Sequence, residues 1–148
     1  MIDFSSHSAR TLLALARRQS GIDSDRCDCA FAHLLAAEQL RSDLRSALAR
    51  HRLSDLQFAI LVSLVEADPE TIPMATLAHR AGVSRSAVTE AFDALLRSGL
   101  ANRARDKSDR RIIYGEITTT GRETIHQAIN DYLRIVAQAP APARPFRP

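Results

Sequence analysis

The chain has 148 residues, 45% hydrophobic and 25% charged, which suits one globular domain with helical extensions and a sizeable core. No apolar run reaches bilayer length, and the polar start MIDFSSHSAR lacks a secretory apolar stretch, so a cytoplasmic protein with no membrane partner is expected. The net charge of +3 is unevenly placed: residues 97–111 hold six basic side chains against two acidic ones, which leaves the remainder nearly neutral. A basic spot on such a body predicts a localised contact with a polyanion and excludes a charge-coated surface.

Residues 4–19 place Leu12, Leu13, Leu15 and Ala16 on one side of a short amphipathic helix, which SGIDSD at 20–25 breaks. From residue 27 to about residue 50, Phe31, Leu34, Leu35, Leu40, Leu44 and Leu48 recur at helical spacing and predict a longer helix. In LSDLQFAILVSLVEAD, Ser54 and Gln57 form an S-x-x-Q capping box, with Leu53 and Phe58 placed as its hydrophobic staple. ADPETIP, residues 67–73, reads as a loop. Pro73 leads into a short helix, MATLAHRA, closed by Gly82 as a left-handed cap. Ser84 caps a further helix over about residues 85–98, which Gly99 ends. LANRA and RIIYGEIT predict two strands joined by the charged loop RDKSD. Thr118 caps a last helix with Ile125, Ile129, Tyr132, Leu133 and Val136 on its apolar side. The tail PAPARPFRP cannot continue that helix and is expected to be disordered.

Helix, short helix, turn, helix, hairpin is the order of a winged helix-turn-helix. The expected fold is therefore mainly α with a small two-stranded β-wing. Ala78 lets the two inner helices approach, Gly82 supplies the permissive turn, and Val88 anchors the second helix in the core. Val83, Phe92, Leu95 and Leu96 complete its buried side, and Arg85, Ser86, Thr89, Glu90 and Asp93 lie opposite. Short polar side chains at a helix N-terminus, here starting from Ser84, meet base edges and phosphates when the helix enters a major groove. The hairpin can lay Arg103, Arg105, Lys107, Arg110 and Arg111 along the adjacent backbone and insert an arginine into a minor groove. Asp109 can fix one neighbouring guanidinium in a bidentate pair, so that the other is presented outward. A charge run alone is most often a solvated loop. This one follows a helix-turn-helix pattern and lies between two strands, which favours double-stranded DNA as the partner.

GVSRSAVTEAFDALLRSGL, followed by R-x-R-x-K-x-DRR and EITTTGRE, resembles the multiple-antibiotic-resistance regulator (MarR) family of bacterial transcription factors. LSDLQFAIL is similar to that family's helix before the DNA-reading unit, and the likeness covers roughly residues 31–136. The resemblance implies an obligate homodimer with N- and C-terminal dimerisation helices, binding palindromic operators, most often as a repressor. It maps Arg85, Ser86 and Thr89 to recognition-helix contacts, and Asp109, Arg110 and Arg111 to the wing's structural pair and minor-groove finger. The implied division is residues 1–50 for N-terminal dimerisation and linking, 51–118 for DNA binding, 119–139 for C-terminal dimerisation, and 140–148 as tail.

Three departures from the family pattern stand out. Glu90 replaces a basic or small residue and either accepts from a cytosine amino group or repels phosphate. Gly115 occupies a wing-strand position that is usually β-branched, and predicts a bulge or bend. Where relatives continue through a further helix after the one beginning near Thr119, Pro140 intervenes, so the N-terminal helix is expected to complete the dimer against Ile129, Tyr132, Leu133 and Val136.

Family members often respond to small aromatic or anionic effectors, and His33 and Arg41 are candidates for greeting an anion. Cys27 and Cys29 are too few for a disulfide framework and fit a reducing compartment. They lie close to the reactive cysteine of the hydroperoxide-sensing branch, so a thiol-based redox switch is the alternative to effector release. Residues two apart on a helix diverge, which argues against a direct Cys27–Cys29 disulfide, and a buried cysteine is more often a small hydrophobe. The five histidines (His7, His33, His51, His79 and His126) show no ligand spacing, so no metal and no cofactor are expected. There is no glycine-rich phosphate loop or nucleophile elbow, and no enzyme is expected. A winged-helix module for protein–protein assembly is the remaining alternative, and such modules usually lose the basic wing.

Overall fold

The computed structural model describes residues 7–68, 70–105, 109 and 112–140. The chain divides into two units, Met1–Leu44 with Ile135–Pro148, and Arg45–Arg134. Residues 4–6 of the expected first helix and the expected disordered tail from residue 141 lie outside the described residues.

In the first unit, α1 runs His7–Ala16, shorter than the periodicity suggested. The amides of Arg18 and Gln19 donate to the carbonyls of Leu15 and Ala16 at 3.0 and 3.2 Å, which tightens the end into a turn. The next helix, α2 (Ser24–Arg50), starts three residues earlier than expected. Asp23 is the cause: its Oδ1 accepts from the amides of Asp25 and Arg26, both at 3.1 Å, so the stretch that breaks one helix caps the next. Arg17 Nη2 meets Asp28 Oδ2 at 2.8 Å and ties α1 to α2.

In the second unit, α3 (Asp55–Ala67) opens on the full capping box, with Gln57 N donating to Ser54 Oγ and Ser54 N donating to Gln57 Oε1. Its apolar side, Ile60, Leu61 and Leu64, meets α4 (Met74–Ala81) and α5 (Arg85–Arg97) through Leu77, Ala78, Val88, Phe92 and Leu95. Burying a ring the size of Phe92 contributes on the order of 2–3 kcal/mol. Val83, read as part of this buried side, is instead 39% exposed. It follows the left-handed Gly82 (φ 64°), where the chain turns outward before α5 begins.

The sheet has three strands, not two. Ile72–Pro73 forms β1 and pairs antiparallel with β3 (Ile113–Ile117), which also pairs with β2 (Ala101–Arg105), giving the order β1-β3-β2. Proline lacks the N–H a central strand needs, and Pro73 accordingly sits on an edge strand. The β2–β3 register is continuous from Ala101 opposite Ile117 to Arg105 opposite Ile113, so Gly115 marks no bulge. Its place is steric: a Cβ there would lie 2.7 Å from Phe92 Cε2 and 3.2 Å from Leu64 Cδ2.

α6 (Thr119–Gln138) is fastened to the base of the sheet. Thr118 donates its amide to Leu100 O at 3.1 Å and its hydroxyl to Gly99 O at 2.8 Å, while Oγ1 accepts from Gly121 N at 2.9 Å. Ile125 and Ala128 are fully buried in the same core. Ile129 and Tyr132 pack against that core as well, with the Tyr132 ring stacked on Phe58 at a centroid distance of 5.0 Å.

Candidate nucleic-acid interface

The turn between α4 and α5 is built by backbone chemistry. Gly82 N donates to the carbonyls of Ala78 and His79, and Val83 N to Ala78 O at 3.2 Å. This closes α4 and delivers Ser84 in extended conformation as the cap of α5, with Oγ accepting from Ala87 N at 3.2 Å.

The first turns of α5 are exposed at Ser84, Arg85, Ser86, Thr89 and Glu90, while Val88 faces the core at 1% exposure. The hydroxyls of Ser84 and Ser86 are 3.0 Å apart. Thr89 Oγ1 donates to Arg85 O at 2.9 Å, which commits its proton to the helix and leaves lone pairs and a methyl group outward. Among the described residues the Arg85 guanidinium has no ion-pair or hydrogen-bond partner. No acidic side chain lies in the first turn, so the positive end of the helix dipole stays uncompensated. A groove of about 270 Å³ runs beside this turn, lined by Met74, Arg85, Thr89 and Ile112 among others.

The wing is less uniform than its charge run suggests. Arg105 is exposed at the outer end of β2. Asp109 is exposed, and its carbonyl accepts from Ile112 N at 2.9 Å. Lys107, Arg110 and Arg111 lie outside the described residues. Arg103 is held back: its Nη2 lies 2.8 Å from Asp93 Oδ1, and its guanidinium carbon 5.5 Å from the centre of the Phe92 ring. Asp93, read as part of the outward face of α5, is therefore engaged with the wing. Neither residue carries a local sequence signal for that pairing, which joins a helix to a strand across a turn.

Cys27 is half-buried and Cys29 exposed, both free, so neither is a fully buried hydrophobe. Cys29 Sγ lies 3.6 Å from His33 Nδ1, which also sits 2.7 Å from Cys29 O. Among the described residues no group of three His, Cys, Asp or Glu is placed to hold a metal ion, and no helix is long and apolar enough to cross a membrane.

The family model described as "MarR family" matches residues 53–113, which run from the staple leucine to the first residue of β3. The transcriptional regulator BldR of Sulfolobus solfataricus is 33% identical, with 80% of this chain and 83% of that one covered and a TM-score of 0.60. The chain belongs to the MarR family. Sco3205 of Streptomyces coelicolor, a MarR family transcriptional regulator, was solved in complex with DNA; it is 27% identical, with 73% and 68% of the two chains covered and a TM-score of 0.67. The transcriptional repressor YetL of Bacillus subtilis is 26% identical over 112 residues, 76% of this chain and 67% of that one. Like other MarR proteins, this chain is a DNA-binding transcription regulator and not an enzyme.

Proposed function

We propose that the chain is a cytoplasmic homodimeric repressor whose two copies of α5 read a pseudo-palindromic operator while each wing grips the adjacent backbone. The observation that carries this is the first turn of α5. Arg85, unpartnered among the described residues, stands beside Ser84 and Ser86 with no acid in that turn and projects from the side opposite the Val88–Phe92 core. Thr89 offers an acceptor and a methyl group, and Glu90 an acceptor for a cytosine amino group. On the wing, Arg105, Lys107, Arg110 and Arg111 supply the cations and Asp109 orients one of them. Repression is supported by YetL, whose name records that activity.

Residues 51–118 form the DNA-binding part, with dimerisation assigned to residues 1–50 and 119–139. Within the first unit, Leu12 and Leu15 on α1, Leu34 and Leu35 on α2, and Val136 on α6 are all at least 40% exposed, which supports apolar helical faces for dimerisation; in the second unit Leu133 is exposed as well. Ile129 and Tyr132 pack within the second unit, so of the four α6 residues expected to meet the N-terminal helix only Leu133 and Val136 are exposed. Deleting residues 1–20 should yield monomers in sedimentation, and an unchanged dimer refutes that assignment. Family membership supports release by a small aromatic or anionic effector.

Selection of bound duplexes from a random library tests the whole scheme. It should return two inverted half-sites centred about 10 bp apart. An unstructured pool, or a spacing out of phase with the duplex turn, overturns it. A second possibility, release by oxidation, is favoured by the exposed Cys29 thiol beside an imidazole. Peroxide that leaves the operator affinity unchanged removes it.

A further inference from the structure

Arg103 belongs to the basic stretch, yet its guanidinium is engaged within the fold while its side chain stays 30% exposed. Asp93 Oδ1 on α5 lies 2.8 Å from its Nη2, and the pair cancels in charge. The guanidinium covers the Phe92 ring, itself 0% exposed and one residue before Asp93 on the same helix. On its other strand neighbour the ring meets Gly115, which stands opposite Arg103 in the β2–β3 register and leaves the ring no spare room. One helix and both long strands of the wing thus close on a single cluster: Phe92, Asp93, Arg103 and Gly115.

We infer that Arg103 and Asp93 are a positioning pair that aims the wing relative to the recognition helix, and that Arg103 makes no contact to DNA. Arg105 lies two residues beyond the pair, roughly 7 Å along the strand, so a tilt of about 15° about the cluster displaces it by about 2 Å. That exceeds the tolerance of a hydrogen bond to phosphate. With the cluster closed, wing and helix meet the duplex in a fixed relative pose, and the ordering cost of finding that pose is removed before binding. The inference rests on the operator reading above, because it needs the wing to touch DNA.

The test is titration of the full-length protein against a selected duplex with either A·T-rich or G·C-rich flanks, at several salt concentrations, with unfolding midpoints taken in parallel. Asp93→Asn and Arg103→Met should each weaken binding by about tenfold, flatten the preference for A·T flanks, and leave the slope of log K against log salt unchanged. Arg103→Lys, which keeps the charge, should stay within about threefold of wild type. The exchanged pair Asp93→Arg with Arg103→Asp should recover most of the affinity lost in the single variants. The inference is overturned if Arg103→Met lowers the salt slope by about 0.9, the signature of one lost phosphate contact. It is equally overturned if Asp93→Asn binds more tightly than wild type, or if the exchanged pair binds worse than both single variants. A wild-type protein that binds no duplex refutes the operator reading and this pair with it. A wild type that binds while Arg103→Met loses slope overturns the pair alone.

Discussion

Replacing Gly115 with alanine adds one methyl group at a tightly packed point of the core. Its Cβ would lie 2.7 and 2.9 Å from two Phe92 ring carbons and 3.2 Å from Leu64 Cδ2. To restore ordinary contact the ring must withdraw by roughly 0.7 Å, in an interior packed to crystal-like density. Phe92 is 0% and Leu64 2% exposed, and the guanidinium of Arg103 lies on the ring, so there is no free volume to withdraw into. Overpacking of this kind costs about 1–3 kcal/mol. A glycine-to-alanine change returns roughly 0.4–1 kcal/mol through the unfolded chain, so a net loss of about 1–2 kcal/mol is expected. That corresponds to a fall in Tm of about 3–10 °C, measured by thermal unfolding at fixed protein concentration. In a Gly115→Ala, Phe92→Leu double variant the two losses should fall short of additive by at least about 1 kcal/mol, because the smaller side chain makes room. A Gly115→Ala protein that melts at or above the wild-type temperature, or a strictly additive double variant, refutes the steric account.

Ser54→Ala removes the acceptor for Gln57 N and should cost about 1 kcal/mol, read as a lower urea midpoint with unchanged slope; Ser54→Asp keeps an acceptor and should stay near wild type. The Asp131 carboxyl is held below its ordinary range chiefly by the hydrogen bond from His51 Nε2 at 2.9 Å, with Arg50 adding to it against the opposing effect of burial. A depressed folded value means stability that is present above the unfolded value of 3.8 and lost as pH falls through the folded one. Asp131→Asn should therefore lower the urea midpoint at pH 7, and show a smaller further drop at pH 3 than wild type does. Arg85→Ala should weaken operator binding and, if the guanidinium meets phosphate, flatten the salt slope by about 0.9; wild-type affinity at moderate salt removes Arg85 from the interface.

The order of elements was legible because each boundary has its own local chemistry. Ser54 with Gln57, Gly82, Ser84 and Thr118 all act where the sequence placed them. Asp23 was readable on the same grounds but sat inside a segment that also ends a helix. β1 was hidden because two residues have no periodicity, and Pro73 signals a helix start as strongly as an edge strand. The bulge expected at Gly115 was misjudged, and the pairing of Arg103 with Asp93 was missed, for a common reason. A glycine in a strand and an arginine in a charge run have ordinary local meanings, and only the arrival of Phe92 from a helix changes them. Val83 failed at the turn, where helical spacing no longer says which way a side chain points.

The small sheet ends on both sides in ways that discourage a further strand. At β1 the outermost position is Pro73, which has no amide to offer an incoming chain. At β2, Asn102 and Arg105 put a polar and a cationic side chain along the free edge. A stray extended peptide finds no usable ladder there, so fibril-like stacking through the wing is blocked at source. In the proposed homodimer, self-association falls instead to the apolar helices, where a closed pair stops growth at two.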